Sequence, residues 1–599
     1  MNQPVEKTIS DFYEMATKAS DQAFRLWQKA AKQDTSNEDP AASIMNDFSK
    51  AFEELGEAFY RNPTKVVADQ VQLMQQQQAL FQSTALKFLG KETDAIIEPA
   101  KDDRRFKDSE WTENAVFDYL KQLYLLQSKS LTDMVNDADG LSEKSRQKVD
   151  YFMRQYVSAL SPSNFPGLNP EVIRKTLDTG GSNLLDGMEQ LIADLDASAG
   201  GSLNVSMTDM SAFSVGRNVA TTEGKVVFQT DLMQLIQYSP TTAKVQKRPL
   251  LVVPPFINKY YILDLREKNS YLKWLVDQGH TVFCISWVNP GPALRNKGFE
   301  DYMLEGPVAA LAAIEKATGE KDVNAIGYCL GGTLLAATLS YLEKKKNQRI
   351  KSATFLATLI DFEEPGEIGV FINETAISAL EKQMAATGYF DGRAMAFSFN
   401  TLREKDLFWS FFINNYLKGE RPAAFDLLYW NSDSTNLPST MHSYYLRNMY
   451  LHNKLQEKDG LELAGVKIDL SAVKIPTYFL STAQDHIAMW KGTYKGAQNF
   501  SGKTRFVLGG SGHIAGVINP PIANKYGYWT NDALPESADA WYQDAKQNEG
   551  SWWTDWQQWV TKEENTQVAK RMPGTGKLTV IEDAPGSYVK AKVLNVAHK

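Results

Sequence analysis

The sequence predicts an α/β fold, and three features carry the prediction. Short apolar segments recur, helix-compatible segments separate them, and one glycine-framed turn joins such a strand to such a helix. Strands that are apolar along their whole length are buried on both faces, as in a mostly parallel sheet covered by helices. The strand candidates are 225–230, 249–255, 281–287, 323–326, 350–359, 477–481 and 504–508, with a helical stretch at 271–278.

Residues 1–200 read differently, as a helical N-terminal domain. Val67, Val71, Met74, Phe81, Ala85 and Phe88 recur on one face of a helix. Tyr119, Leu120, Leu123, Leu125 and Leu126 continue the style, and Gln75 to Gln78 form a short run suited to a solvated face. Residues 35–40 are a polar break. No histidine precedes His280, so no catalytic constellation is expected here; the expectation is docking to a partner or surface. The composition shifts near Ala199-Gly200-Gly201-Ser202, so 201–599 is expected to form the catalytic domain. From about 361 to 470 the strand–helix rhythm stops and aromatics accumulate, which reads as a cap insertion over the site. The tryptophans Trp552, Trp553 and Trp556 read as packing.

Bulk properties exclude several classes. A chain of 599 residues is too long for one core. With 43 % hydrophobic and 23 % charged residues it has an ordinary globular composition. A net charge of −8 provides no global field for nucleic acid, so an anionic substrate needs a local cationic cluster. Two cysteines, Cys284 and Cys329, exclude a disulfide framework and suit a reducing cytoplasm. The first fifteen residues lack the charged and apolar regions of a signal peptide, and no apolar run is long enough for a transmembrane segment.

The turn is Gly327-Tyr328-Cys329-Leu330-Gly331-Gly332. A Gly-x-nucleophile-x-Gly turn between strand and helix is the nucleophile elbow of α/β-hydrolases, and here the nucleophile is cysteine. A buried, inert thiol in a glycine-rich turn is the alternative. In this fold the acid and then the histidine follow the nucleophile in the chain. Of six histidines, His513 stands in a glycine loop just after a strand, and Asp485 ends the preceding strand. His486 adjoins Asp485, but side chains of neighbours in extended backbone diverge, so it reads as substrate-facing or supporting. The oxyanion donors should be the N–H of Leu330 and one from the loop Pro254-Pro255-Phe256-Ile257-Asn258. Prolines cannot donate, which leaves Phe256 or Ile257; Ile257 is taken as the donor. A thiol suits acyl transfer from a coenzyme-A-type thioester, because thioester exchange is nearly balanced.

These motifs, with Pro254-Pro255-Phe256-Ile257-Asn258-Lys259-Tyr260-Tyr261, Asn431-Ser432-Asp433-Ser434-Thr435-Asn436-Leu437-Pro438 and Ser511-Gly512-His513-Ile514-Ala515-Gly516-Val517-Ile518-Asn519-Pro520-Pro521, make the chain resemble the class I polyhydroxyalkanoate synthases. The resemblance runs from about residue 102 to 556 and implies polymerisation of (R)-3-hydroxyacyl-CoA, short-chain by length, with release of CoA. It implies a Cys329–His513–Asp485 triad, with Arg403 contacting CoA, His486 in the substrate tunnel and Trp430 in the cap. It implies no cofactor and no metal, since the CoA thioester is substrate. It also implies a homodimer in the cytoplasm at the surface of polyester granules, with granule-associated proteins meeting the N-terminal region. The rival readings are a cysteine-dependent thioesterase or polyester hydrolase, and a non-catalytic granule-binding protein.

Overall fold

Leu250 and Val252 pack into one hydrophobic cluster while Leu251 and Val253 pack into another. Period-2 alternation sends successive side chains to opposite faces, so a strand apolar at every position is covered on both. The computed structural model that shows this describes residues 40–101, 103–198 and 203–593. The N-terminal stretch read for a signal peptide, the polar break up to residue 39, the boundary residues 199–202 and His598 lie outside the described residues.

Contacts divide the described residues into two compact units, those up to 208 with 397–423, and 209–396 with those from 424 onward. In the second unit an 11-stranded sheet is built from β1 Gly224–Gln229, β2 Met233–Tyr238, β3 Leu250–Val253, β4 Val282–Trp287, β5 Val323–Tyr328, β6 Ile350–Leu356, β7 Thr477–Thr482, β8 Thr504–Gly509, β9 Tyr528–Thr530, β10 Lys546–Asn548 and β11 Glu582–Asp583. The spatial order is β10-β9-β8-β7-β6-β5-β3-β4-β2-β1-β11. Strands β4, β3, β5, β6, β7 and β8 are mutually parallel, and antiparallel strands extend both edges. Proline without an N–H ends β3 at Pro254. Ala357 takes a left-handed backbone (φ 44°), so β6 stops at Leu356 and not at 359. Helix Leu330–Lys344 covers one face, and Trp552, Trp553 and Trp556 of helix Trp552–Glu563 pack on the other. Each such aliphatic or aromatic side chain contributes roughly 1.5–3 kcal/mol by burial.

The first unit is helical, as expected for its N-terminal residues. Helices Pro63–Phe88, Ala115–Asn136 and Glu143–Ala159 start at Asn62, Asn114 and Ser142, whose side chains accept N–H groups of the first turn. Ala51, Leu55 and Ala58 pack with Val135, Ala138 and Val149. The face that periodicity marks on helix Pro63–Phe88 is exposed in this unit: Val67, Met74, Phe81 and Phe88 are each more than 60 % accessible.

The middle of the expected cap interval, 397–423, packs with these helices. Glu404 accepts from the hydroxyl of Ser158 (2.9 Å) and the amide of Gln155 (3.3 Å). The Tyr416 hydroxyl donates to Asp194 (2.5 Å), and the Asn183 amide donates to Leu417 O (2.7 Å). Gly187 is required there, because a Cβ would lie 2.0 Å from Tyr416 O. Among the described residues no helix is long and apolar enough to cross a membrane.

Candidate active site

Cys329 stands between β5 and helix Leu330–Lys344 with φ 50° and ψ −122°. Such backbone costs on the order of 1–3 kcal/mol in a residue with a side chain and persists only where packing enforces it. The enforcement is visible. Cβ atoms on Gly327, Gly331 and Gly332 would lie 2.5 Å from Gly332 Cα, 2.1 Å from Val253 O and 2.0 Å from Thr358 Oγ1. The absence of side chains therefore lets the helix start directly against the end of β3. The Cys329 N–H donates to Leu356 O (2.9 Å), while its own carbonyl accepts from Gly332 and Thr333. The thiol is partly accessible, unlike that of Cys284, which is fully buried in β4 and pushed up in pKa by that burial. The N–H of Leu330 is in the first turn of the helix, where backbone donors have no partner inside the helix.

The loops after β7 and β8 meet at one point. The Gln484 N–H donates to Ser511 O (2.9 Å) and the Ala483 N–H to Gly509 O (2.8 Å). Across this junction His513 Nδ1 lies 2.7 Å from Asp485 Oδ2. The other carboxylate oxygen of Asp485 accepts the N–H groups of Ile487 and Ala488 (both 2.9 Å), and the Thr482 hydroxyl donates to Oδ2 (3.2 Å). Burial is the largest single influence on His513 and opposes its charge, but the Asp485 carboxylate, the Cys329 sulfur and hydrogen bonds to both together outweigh it; the imidazole is held well above its ordinary pKa. Asp485 occupies Nδ1, which leaves Nε2 for the sulfur.

The structure thus brings together Cys329, Asp485 and His513. His486 is half-buried beside the acid, and its carbonyl would lie 3.0 Å from a Cβ on Gly366. Ile257 is half-buried just beyond β3, whereas the Phe256 ring is buried against Trp287 and Tyr302. Arg403 belongs to the first compact unit and pairs with Asp406. Trp430 is buried, its indole N–H donating to Lys259 O (2.7 Å). Sequence reasoning missed Tyr328. Its ring stacks on His513 at 5.7 Å and 26°, and its hydroxyl donates to His513 O (3.2 Å). Its place before the nucleophile gave no signal, because the contact arises only when the loop after β8 reaches back past β7 and β6 to the end of β5.

An α/β-hydrolase sheet with a cysteine on the elbow and a histidine–aspartate pair on neighbouring loops defines the class. Residues 267–520 match the model of the alpha/beta hydrolase fold, and residues 102–275 match that of the poly-beta-hydroxybutyrate polymerase (PhaC) N-terminus. The poly(3-hydroxyalkanoate) polymerase of Methylorubrum extorquens is 48 % identical over 92 % of this chain and 91 % of its own length. The PhaC subunits of Rhizobium meliloti and Cupriavidus necator are 46 % and 42 % identical, over 92 % and 82 % of this chain and 90 % and 83 % of theirs. The chain belongs to the poly(3-hydroxyalkanoate) polymerase family.

Proposed function

We propose that this protein polymerises (R)-3-hydroxyacyl-CoA into polyhydroxyalkanoate and releases CoA, acting as an acyltransferase through an acyl-enzyme on Cys329. The observation that carries this reading is the His513–Asp485 hydrogen bond beside an elbow cysteine, in a chain of the polymerase family.

The proposed steps are these. Cys329 Sγ attacks the thioester carbonyl as its thiol proton passes to His513, whose Nδ1 is held by Asp485. The oxyanion is met by the N–H groups of Leu330 and Ile257. When the carbon–sulfur bond to CoA breaks, His513 returns the proton to the departing thiolate. The 3-hydroxyl of a second unit then loses its proton to the histidine and attacks the Cys329 thioester. A new ester forms and the thiol is restored. Asp485 keeps the imidazole in the tautomer both half-reactions need. No cofactor is required, since CoA arrives and leaves as part of the substrate.

Chain length and family favour short-chain monomers such as 3-hydroxybutyryl-CoA. Arg403 serves CoA, and His486 faces the substrate. The further reading is a homodimer working in the cytoplasm at the granule surface. The exposed apolar face of helix Pro63–Phe88 supports docking of the N-terminal region to the granule or its associated proteins. The test is CoA release measured together with product size for the purified protein on 3-hydroxybutyryl-CoA. The expected result is high-polymer product, with both signals lost in Cys329→Ala and retained in Cys284→Ala. Free acid as the only product would overturn the reading.

A further inference from the structure

The loop from Pro254 to Lys259 carries Ile257, yet nothing in that loop is regular secondary structure. A donor that must meet an oxyanion has to be held to within a fraction of an ångström, so something else must fix it. Its start is fixed by the Trp287 indole N–H, which donates to Pro254 O (2.9 Å), and by the buried Phe256 ring. Its end is fixed by Lys259.

Lys259 is a buried cation with a side chain 4 % accessible. Its ammonium donates to Val589 O (2.8 Å) and Ala591 O (2.5 Å), and lies 3.1 Å from Asp433 Oδ1. An ammonium has three donors, and these three acceptors use them all. Asp433 is itself held by the Tyr261 hydroxyl (2.8 Å) and by Lys592 (3.0 Å). The backbone on either side of the side chain is tied as well. Lys259 O accepts from Trp430, and Asn258 bridges to Ser434. The segment that supplies the two carbonyls is anchored independently, because the Tyr588 hydroxyl donates to Thr230 O (2.9 Å) and Val589 is buried. Burial lowers the pKa of Lys259 and Asp433 opposes that, as expected of a charge kept inside for its directed bonds.

We infer that Lys259 is a positioning residue for the acyl-transfer step: it fastens the Ile257 loop to the C-terminal segment 588–592 and to Asp433, so the C-terminal segment takes part in building the oxyanion site. The inference rests on the proposed acyl-enzyme at Cys329. It explains why the cation is buried with three acceptors where an apolar side chain would fill the space at less cost.

The test separates oxyanion formation from thiol reactivity. Acylation of Cys329 by 3-hydroxybutyryl-CoA passes through an oxyanion; alkylation by iodoacetamide does not. In full-length Lys259→Met, pre-steady-state CoA release should slow about 10- to 100-fold. The alkylation rate of Cys329 and its pH profile should match the wild type. A second variant lacking residues 589–599 removes both carbonyl acceptors from the other side and should show the same split, so the test stands if Lys259→Met does not fold. Unchanged CoA release in either folded variant, or an equal fall in acylation and alkylation, would overturn the inference. Cys329→Ala is assayed in parallel: if it still releases CoA, the acyl-enzyme reading fails, and that result is distinct from a failure of the Lys259 role alone.

Discussion

His513 Nδ1 lies 2.7 Å from Asp485 Oδ2, between loops that leave adjacent parallel strands. The contact sets a protonation state as well as an orientation. The folded-state pKa of His513 is raised well above the ordinary value of about 6.5, against the opposing effect of burial. A raised imidazole pKa gives stability that is fully present below the unfolded value and is lost as pH rises through the folded one. His513→Gln removes this contribution. Its melting temperature should fall furthest below wild type near about pH 6, and the gap should narrow as pH rises well beyond 6.5. Thermal unfolding followed across pH checks this; a gap that widens with pH contradicts it.

Gly331 and Gly332 differ in what they touch. A Cβ on Gly331 would meet the carbonyl oxygens of Val253 and Pro254, at 2.1 and 2.5 Å, and backbone cannot step aside. A Cβ on Gly332 would meet first the Thr358 Oγ1. Gly331→Ala should therefore cost at least about 1–3 kcal/mol and abolish CoA release. Gly332→Ala should be partly rescued by Thr358→Ala. Denaturant unfolding of the two single variants and the pair measures this, and equal rescue of Gly331→Ala would show that the elbow is not held against β3.

Arg403 is exposed and paired with Asp406, so its guanidinium is accessible to a ligand. If it binds CoA phosphate, Arg403→Ala loses a charge-assisted contact of about 1.5–3 kcal/mol. KM for acyl-CoA should rise about 10- to 100-fold, with kcat little changed and the salt dependence reduced. An unchanged KM removes Arg403 from the CoA path.

How much of this the sequence disclosed depended on whether the signal was local. The parallel strands β3 to β8 were readable because doubly buried strands are apolar throughout. Strand β2 was missed. Its Gln234 and Gln237 are fully buried, paired with Ser587 and Arg571 O, and such pairing across hundreds of residues leaves no periodicity. Strands β9, β10 and β11 have three or two residues each, too short for a pattern. The elbow and the order Cys329, Asp485, His513 were readable because the turn needs glycines and the loops follow strands. Tyr328 against His513 and Lys259 against residues 589 and 591 were not. Packing of 397–423 with the N-terminal helices was likewise hidden, since Glu404–Ser158 and Tyr416–Asp194 are contacts between distant side chains. Periodicity on helix Pro63–Phe88 disclosed an apolar face correctly and said nothing about whether it is covered.

The central claim, transfer through Cys329 to a hydroxyl, is tested most directly with a 3-deoxy acyl-CoA. The analogue carries the thioester that Cys329 attacks and lacks the hydroxyl that would attack the acyl-enzyme. CoA release and intact-protein mass are followed together. The account predicts one CoA released per active site, a mass gain of one acyl group located at Cys329 after digestion, and then a stall. Sustained CoA release with free acid as product would contradict it, because water would then be the acceptor and the protein a thioesterase.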